Sequence, residues 1–387
     1  MILKIQIPFI QKKHGKHALC SFTGLLPNDQ THILTKYKNK KKLKKHRITF
    51  LFILVSVLMF WSCSRLNPIE RSKENTSAYI TKTAFLLNTV VTITIYDKQE
   101  ESLLDESMDL IRHYEKIYSR TAKDSELYAL NHSMVPFNGK TRQISNELSQ
   151  LLAYGLSYSK LSEGAFDIST APISSLWNFT GLSPILPSED DINNALQLVN
   201  YEFIQLNGNE LSFSKENIRI DLGAIAKGYI ADRVKEYLQS KNVKSAMINL
   251  GGNILCIGNK PDGSPFHIGI QKPFADRNET IEVMKLSDVS VVSSGIYERF
   301  FSLDGKLYHH ILNPETGYPY ENDLISVTII SNKSVDGDGL STSCFALGLE
   351  KGLKLLADIP DTYGVFITKD YEIIYSEGFH DAIELVR

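Results

Sequence analysis

The sequence predicts an α+β fold: one domain of mixed sheets with a helical lobe, behind an N-terminal signal or anchor segment. Three observations predict it. Strand-length apolar runs and helix-period runs are interleaved without a regular βαβ alternation. There is no internal repeat and no G-x-G-x-x-G fingerprint. Composition, with 43% apolar and 22% charged residues over 387 positions, is that of a globular chain.

The N-terminus comes first. Lys40-Lys41-Lys42 and Lys44-Lys45-His46-Arg47 precede Ile48–Ser62, a run of 15 uncharged residues. A spanning helix needs about 20, so the run fits a secretory apolar region behind a basic one. Cys63 follows Ser62, an order similar to a bacterial lipoprotein signal, in which the cysteine is lipidated and becomes the mature N-terminus. Phe60 and Trp61 stand where a leucine and a small residue are usual. The alternative is an uncleaved anchor, and either places the globular part outside the cytoplasm. The long lead before Lys40 leaves a later translation start open. Residues 1–63 are thus a basic extension plus signal, 64–80 a polar linker and 81–387 the folded domain. Residues 1–47 carry twelve Lys and Arg against one acid, and the remainder 30 against 43, a balance of −13. That acidic balance argues against nucleic acid as a partner. Cys256 and Cys344 follow no metal spacing and read as buried thiols.

Within the domain, Ala84–Tyr96 alternates Val91, Ile93 and Ile95 with threonines, as a half-buried strand does. Leu103–Tyr118 places Leu104, Met108, Ile111, Ile117 and Tyr118 at helical spacing. Asn146–Leu161 is a second helix, and Ser188 begins another with Asp190 and Asp191 in its first turn. Phe203–Leu206 and Leu211–Phe213 flank Asn207-Gly208, a hairpin signal. A short strand ending on Asp221 leads through a small-residue turn into a helix to about Gln239. Strands follow at Ala246–Leu250, Phe266–Gln271, Val289–Ser293 and Ile325–Ile330. Helices at 339–347 and 350–357 and strands at 364–368 and 372–376 complete the chain.

Four segments carry chemistry. In Ile220–Tyr229 the small residues allow close backbone approach, a helix N-terminus faces anions, and Lys227 adds a mobile charge. The same pattern also serves as an ordinary strand–turn–helix. Asp338 and Thr342, four apart, share a helix face and form a hard oxygen site of the kind Mg²⁺ prefers. Acidic and hydroxyl residues of this kind are also common helix caps. Tyr308–Pro319 brings His309 and His310 beside a Pro–Gly turn, where a histidine can act as a general base or lie idle on the surface. Gly164–Pro172 and Leu176–Phe179 set aromatics beside small residues, either to wall a flat ring or to pack a core.

Together these segments resemble the ApbE family, flavin transferases that move FMN from FAD onto proteins. The resemblance runs from about Thr83 to Ala357 in family order. It passes through Ala165-Phe166-Asp167, Asp221–Tyr229, Asn249-Leu250-Gly251-Gly252, Ser293–Phe300, His310–Pro319 and Asp338–Thr342. It implies a single T-fold-like domain and an Mg²⁺-dependent reaction in which FMN is attached by a phosphoester to a threonine of a target protein and AMP leaves. Carried over by motif, the Ala224 carbonyl, Asp338 and Thr342, with Ser341, would hold Mg²⁺. Leu87, Ala165, Phe166, Asp167, Asp221, Lys227 and Leu312 would line the FAD site. His310 would be the base, with His309 the alternative. The implied partners are FAD, flavin-accepting membrane redox subunits and, through the lipid anchor, the membrane. Two positions depart from the family pattern. Leu87-Asn88-Thr89 replaces Met-Gly-Thr, and Thr121 stands where an aromatic is usual, which predicts looser stacking on FAD. The rival readings are an FAD pyrophosphatase releasing FMN and AMP, and a flavin-binding lipoprotein without catalysis.

Overall fold

The structure, a computed structural model, describes residues 79–179, 185–276 and 278–386. The expected signal, the lipidated Cys63 and nearly all of the linker lie outside the described residues. The frame is an eight-stranded sheet: β1 Ile80–Leu86, β2 Thr89–Ile95, β3 Ala246–Leu250, β4 Asn253–Ile257, β5 Ser290–Gly295, β6 Leu324–Ser331, β7 Tyr363–Thr368 and β8 Ile373–Tyr375. These strands lie side by side in chain order. Every pairing between them is antiparallel. The chain therefore leaves the sheet and returns beside its last strand, and the long excursions carry the helices.

Five helices matter for the site: α1 Glu101–Tyr118, α2 Asn146–Leu161, α3 Ala226–Ser240, α4 Ser334–Leu347 and α5 Leu349–Ala357. On one face of the sheet α3 crosses β3 and β4, α4 crosses β5 and β6, and the two helices touch each other. Strand periodicity decides which side chains face the core: Val91, Ile93 and Ile95 alternate with less buried residues and are themselves fully buried. Strand β6 is buried at all its positions, as a strand covered on both faces must be. A second, smaller cluster of Ile173, Trp177, Ile192, Ala195 and Leu312 gathers aromatic residues around Trp177.

The α+β class holds, and several elements match residue for residue, Asn146–Leu161 and Ala246–Leu250 among them. Ser188 caps its helix by accepting the Asp191 N–H, as expected. Other elements differ. The single strand expected over Ala84–Tyr96 is a hairpin, because Leu87 and Asn88 both adopt positive φ (54° and 56°) and reverse the chain in two residues. The later hairpin turns at Gly208-Asn209, one residue beyond the expected pair, with Gly208 at φ 55°. The strand expected before Asp221 is absent. That extended segment is pinned instead by the Asn131 side-chain amide, which donates to the Ile220 carbonyl and accepts its N–H, both at 2.8 Å. The helix expected from 339 starts five residues earlier, at Ser334.

Candidate active site

The early start of α4 decides how Asp338 is read. Asp338 lies inside the helix, so it does not cap α4. Its carboxylate reaches across to α3, where Oδ2 accepts the Gly228 N–H at 2.6 Å, in the first turn of that helix. Asp232, on α3, returns the favour by accepting the Ser334 and Val335 N–H groups at 2.8 and 2.9 Å, at the start of α4. Each helix thus satisfies orphan donors of the other. The close approach requires Gly228, since a Cβ there would collide with the Ser334 carbonyl. Sequence reasoning aimed the N-terminus of α3 at an anionic ligand; one of its N–H groups is already taken by Asp338.

Asp338 is only 4% exposed, and no cation lies within ion-pair distance of it among the described residues. Burial pushes its carboxyl above the usual carboxylate range. The Lys227 charge, the Gly228 N–H and the Asn253 amide oppose that rise. Asp232 follows the same logic: burial lifts it to about 6, against the two N–H groups it accepts. One turn beyond Asp338, the Thr342 hydroxyl lies 3.1 Å from Ser294 Oγ, which is also 2.9 Å from Ser341 Oγ.

A cavity of about 860 Å³ opens over this cluster. His310, Leu87, Ala165, Phe166, Asp167, Asp221, Lys227, Leu312, Ala224, Asp338 and Thr342 all line it, although they come from segments far apart in the chain. Ser341 does not. It is fully buried behind the wall, and its hydroxyl donates to the Asp338 carbonyl at 3.2 Å. Phe166 serves both readings open in the sequence: its ring is 4% exposed, packs edge-on to Tyr158, and still borders the cavity.

Two of the lining carboxylates are already engaged. Asp221 forms a 2.9 Å ion pair with Arg120 and accepts Ser174 Oγ and the Gly223 N–H, each at 2.9 Å. Asp167 accepts from the Ser169 N–H and hydroxyl, both at 2.6 Å, and from the Tyr201 N–H at 2.9 Å, while burial raises its pKa. These groups shape the wall and hold its turns.

The two histidines differ in what they have left to offer. His309 Nε2 donates to the Tyr320 carbonyl at 3.0 Å, and its Nδ1 accepts the Ile311 N–H at 3.3 Å, so both nitrogens are used. His310 Nδ1 donates to the Arg299 carbonyl at 3.3 Å, leaving Nε2 as a lone-pair acceptor. Burial, then the Arg299 charge, pushes His310 down to about 3; burial takes His309 to about 4. His310 is therefore a neutral imidazole at physiological pH with one uncommitted nitrogen beside the cavity.

The candidate cation donors are all oxygens, the Asp338 carboxylate, the Thr342 hydroxyl and the Ala224 carbonyl, from residues that line the same cavity. No group of three or more His, Cys, Asp or Glu suited to a metal occurs among the described residues. A site here would draw on hard oxygen donors and on ligand oxygens, the set a small divalent cation favours over zinc. A buried carboxylate without an ion-pair partner fits such an ion.

Sequence reasoning missed Arg120, Asn253, Ser294 and Tyr320. Tyr320 donates to the Ala165 carbonyl at 3.0 Å and ties the histidine turn to the aromatic wall. Asn253 directly follows the Gly251-Gly252 turn, and Ser294 sits in the Ser-Ser-Gly run that ends strand β5; those two small-residue segments were the available signals.

Fold and cavity together define an α+β protein with an oxygen-lined cavity, and comparison with known proteins narrows this. A model described as the ApbE family matches residues 87–367. The chain belongs to the ApbE family. It is 36% identical over 295 residues to an FAD:protein FMN transferase of Klebsiella pneumoniae, covering 76% of this chain and 90% of that protein. It is 31% identical over 320 residues to one of Treponema pallidum, covering 78% and 88%. The fold matches the crystal structure of an ApbE protein of Thermotoga maritima at a TM-score of 0.70 and 29% identity, over 78% of this chain and 98% of that one. It matches the flavin transferase ApbE of Vibrio cholerae at 0.70 and 27%, with the same coverage.

Proposed function

We propose that this chain is an FAD:protein FMN transferase that works with Mg²⁺ and attaches FMN to a threonine of membrane-associated redox proteins. The relatives carry that activity in their names. The observation that carries the reading to this chain is one cavity holding both a buried, unpaired Asp338 and a neutral His310 with a free nitrogen. Asp338, Thr342 and the Ala224 carbonyl would hold Mg²⁺, which neutralises pyrophosphate charge when bound. Lys227 adds a positive charge that lines the cavity and is felt by Asp338. His310 Nε2 accepts the proton of the incoming threonine hydroxyl. The threonine oxygen then forms its bond to the FMN-side phosphorus as the pyrophosphate bond breaks and AMP leaves with the electron pair. Positioning supplies most of the acceleration in a transfer of this type. The order of Ile48–Ser62 and Cys63 supports a lipid-anchored placement outside the cytoplasm. No helix among the described residues is long and apolar enough to cross a membrane.

The test is incubation with FAD, Mg²⁺ and an acceptor protein, followed by in-gel flavin fluorescence. Asp338→Ala should give no labelled band, and labelling equal to the unsubstituted protein would remove the metal assignment. One observation favours a second reading: Thr121 is exposed on the cavity wall and offers no ring to stack on FAD. A pyrophosphatase would release AMP at full rate without acceptor, whereas a transferase needs the acceptor.

A further inference from the structure

The carboxylate assigned to the cation is held by a ring of hydrogen bonds that involves a residue no motif singled out. We infer that Asn253 is a positioning residue: it fixes the aim of the Asp338 carboxylate and so sets the affinity of the site for a divalent cation. The inference rests on the Mg²⁺ reading above.

Asn253 opens β4, directly after the Gly251-Gly252 turn, and is 1% exposed. Its Oδ1 accepts the Ser334 hydroxyl at 2.8 Å, and its Nδ2 donates to Asp338 Oδ1 at 3.1 Å. The orientation of this amide is over-determined. Flipping it would set its oxygen against the Asp338 carboxylate and its NH₂ against the Ser334 hydroxyl that now donates to it. Ser334 is fixed in turn, because its N–H is committed to Asp232 on α3. Asp338 Oδ2 closes the ring by accepting the Gly228 N–H, again on α3. The path therefore runs from α3 to α4 to β4, back to α4 and back to α3, with each donor and acceptor assigned.

Held by one donor on each oxygen, the Asp338 carboxylate cannot turn, and each oxygen keeps a lone pair for another partner. That is the relation of an outer hydrogen-bond partner to a ligating carboxylate, whose loss typically weakens metal affinity about 10-fold to 100-fold. Asn253 is buried, bonded to Asp338 and borders the cavity, and it need not touch FAD for this role.

The experiment measures Mn²⁺ binding by electron paramagnetic resonance, without FAD, on the full chain and on Asn253→Ala and Ser334→Ala. Thermal melts with and without Mn²⁺ run alongside. Asn253→Ala should weaken Mn²⁺ by about 10-fold to 100-fold and lose the rise in melting temperature that Mn²⁺ gives the unsubstituted chain. Ser334→Ala, which frees the amide to flip, should show a several-fold loss. Metal-free FAD affinity should stay unchanged in Ser334→Ala, whose side chain is not part of the cavity lining. An Mn²⁺ affinity of Asn253→Ala equal to that of the unsubstituted chain overturns the inference, even if its melting temperature falls. Should Asn253→Ala fail to fold, an unchanged affinity in Ser334→Ala overturns it. If the unsubstituted chain binds no Mn²⁺, the metal reading fails and this inference falls with it.

Discussion

His310 and Asp338 border the same cavity, and burial shifts their pKa values in opposite directions, the imidazole down and the carboxyl up. Desolvation favours the neutral form of each, which makes the imidazole a ready base but makes the carboxylate costly until a cation arrives. For His310 the folded pKa, about 3, lies below the ordinary 6.5. The acid limb of the transfer rate attributable to this base should therefore lie well below pH 6, and a limb centred at 6.5 would show an exposed histidine instead. His310→Ala should lower transfer by about 10²-fold to 10⁴-fold, the usual worth of a positioned base, with FAD binding retained. The same shifts act on stability. His309 and His310 have depressed pKa values, so their contribution is complete above 6.5 and is lost as pH falls through about 4 and about 3. Denaturant titrations from pH 7 to 4 should show a falling unfolding free energy, with a shallower slope in His309→Gln. Asp232, raised to about 6, works in the other direction: its contribution is present below 3.8 and lost as pH rises through about 6.

At the scale of elements, α3 and α4 work as one unit because glycine lets them touch and each caps the other. Gly228→Ala would drive a methyl group into the Ser334 backbone, which cannot yield as a flexible side chain can. We expect a loss of about 1–3 kcal/mol, typical of overpacking, read as a lower melting temperature together with weaker Mg²⁺ binding. Much of this layer was legible beforehand. Asn146–Leu161 has a cap and a regular apolar period, and Ala246–Leu250 alternates cleanly, so local pattern and tertiary role agree. The start of α4 was not legible. Asp336-Gly337-Asp338-Gly339 has the composition of a turn, yet the glycines are there for contact: a Cβ on Gly337 would sit 2.6 Å from Val292, and one on Gly339 2.5 Å from the Tyr158 ring. Tertiary packing overrides propensity at this point. The β1–β2 turn hid for a related reason, since Leu87 and Asn88 take positive φ without a glycine. Asn88→Gly should be neutral or stabilising in thermal melts, and Asn88→Val clearly destabilising.

For the whole molecule, eight antiparallel strands in chain order bring distant segments to one end of one sheet. That is why ordered motifs spread from Leu87 to Thr342 converge on a single cavity, and why motif order was informative before any contact was known. The sequence could name residues with distinctive chemistry, such as Asp338, Thr342 and His310. It could not reveal partners whose roles exist only through packing: Arg120 against Asp221, Ser294 against Thr342, Asn253 against Asp338. Residues 77–387 form one compact unit. A chain starting at Ser77 should therefore melt in one cooperative transition and bind FAD as the full chain does, as checked by calorimetry and flavin fluorescence. The central claim is that this cavity transfers FMN from FAD to a protein hydroxyl with Asp338 holding the cation. The most direct measurement is mass spectrometry of an acceptor protein after incubation with FAD, Mg²⁺ and either the unsubstituted chain or Asp338→Ala. We expect FMN on a threonine of the acceptor, with equimolar AMP, only with the unsubstituted chain. AMP and free FMN with an unmodified acceptor, or equal modification by Asp338→Ala, would contradict it.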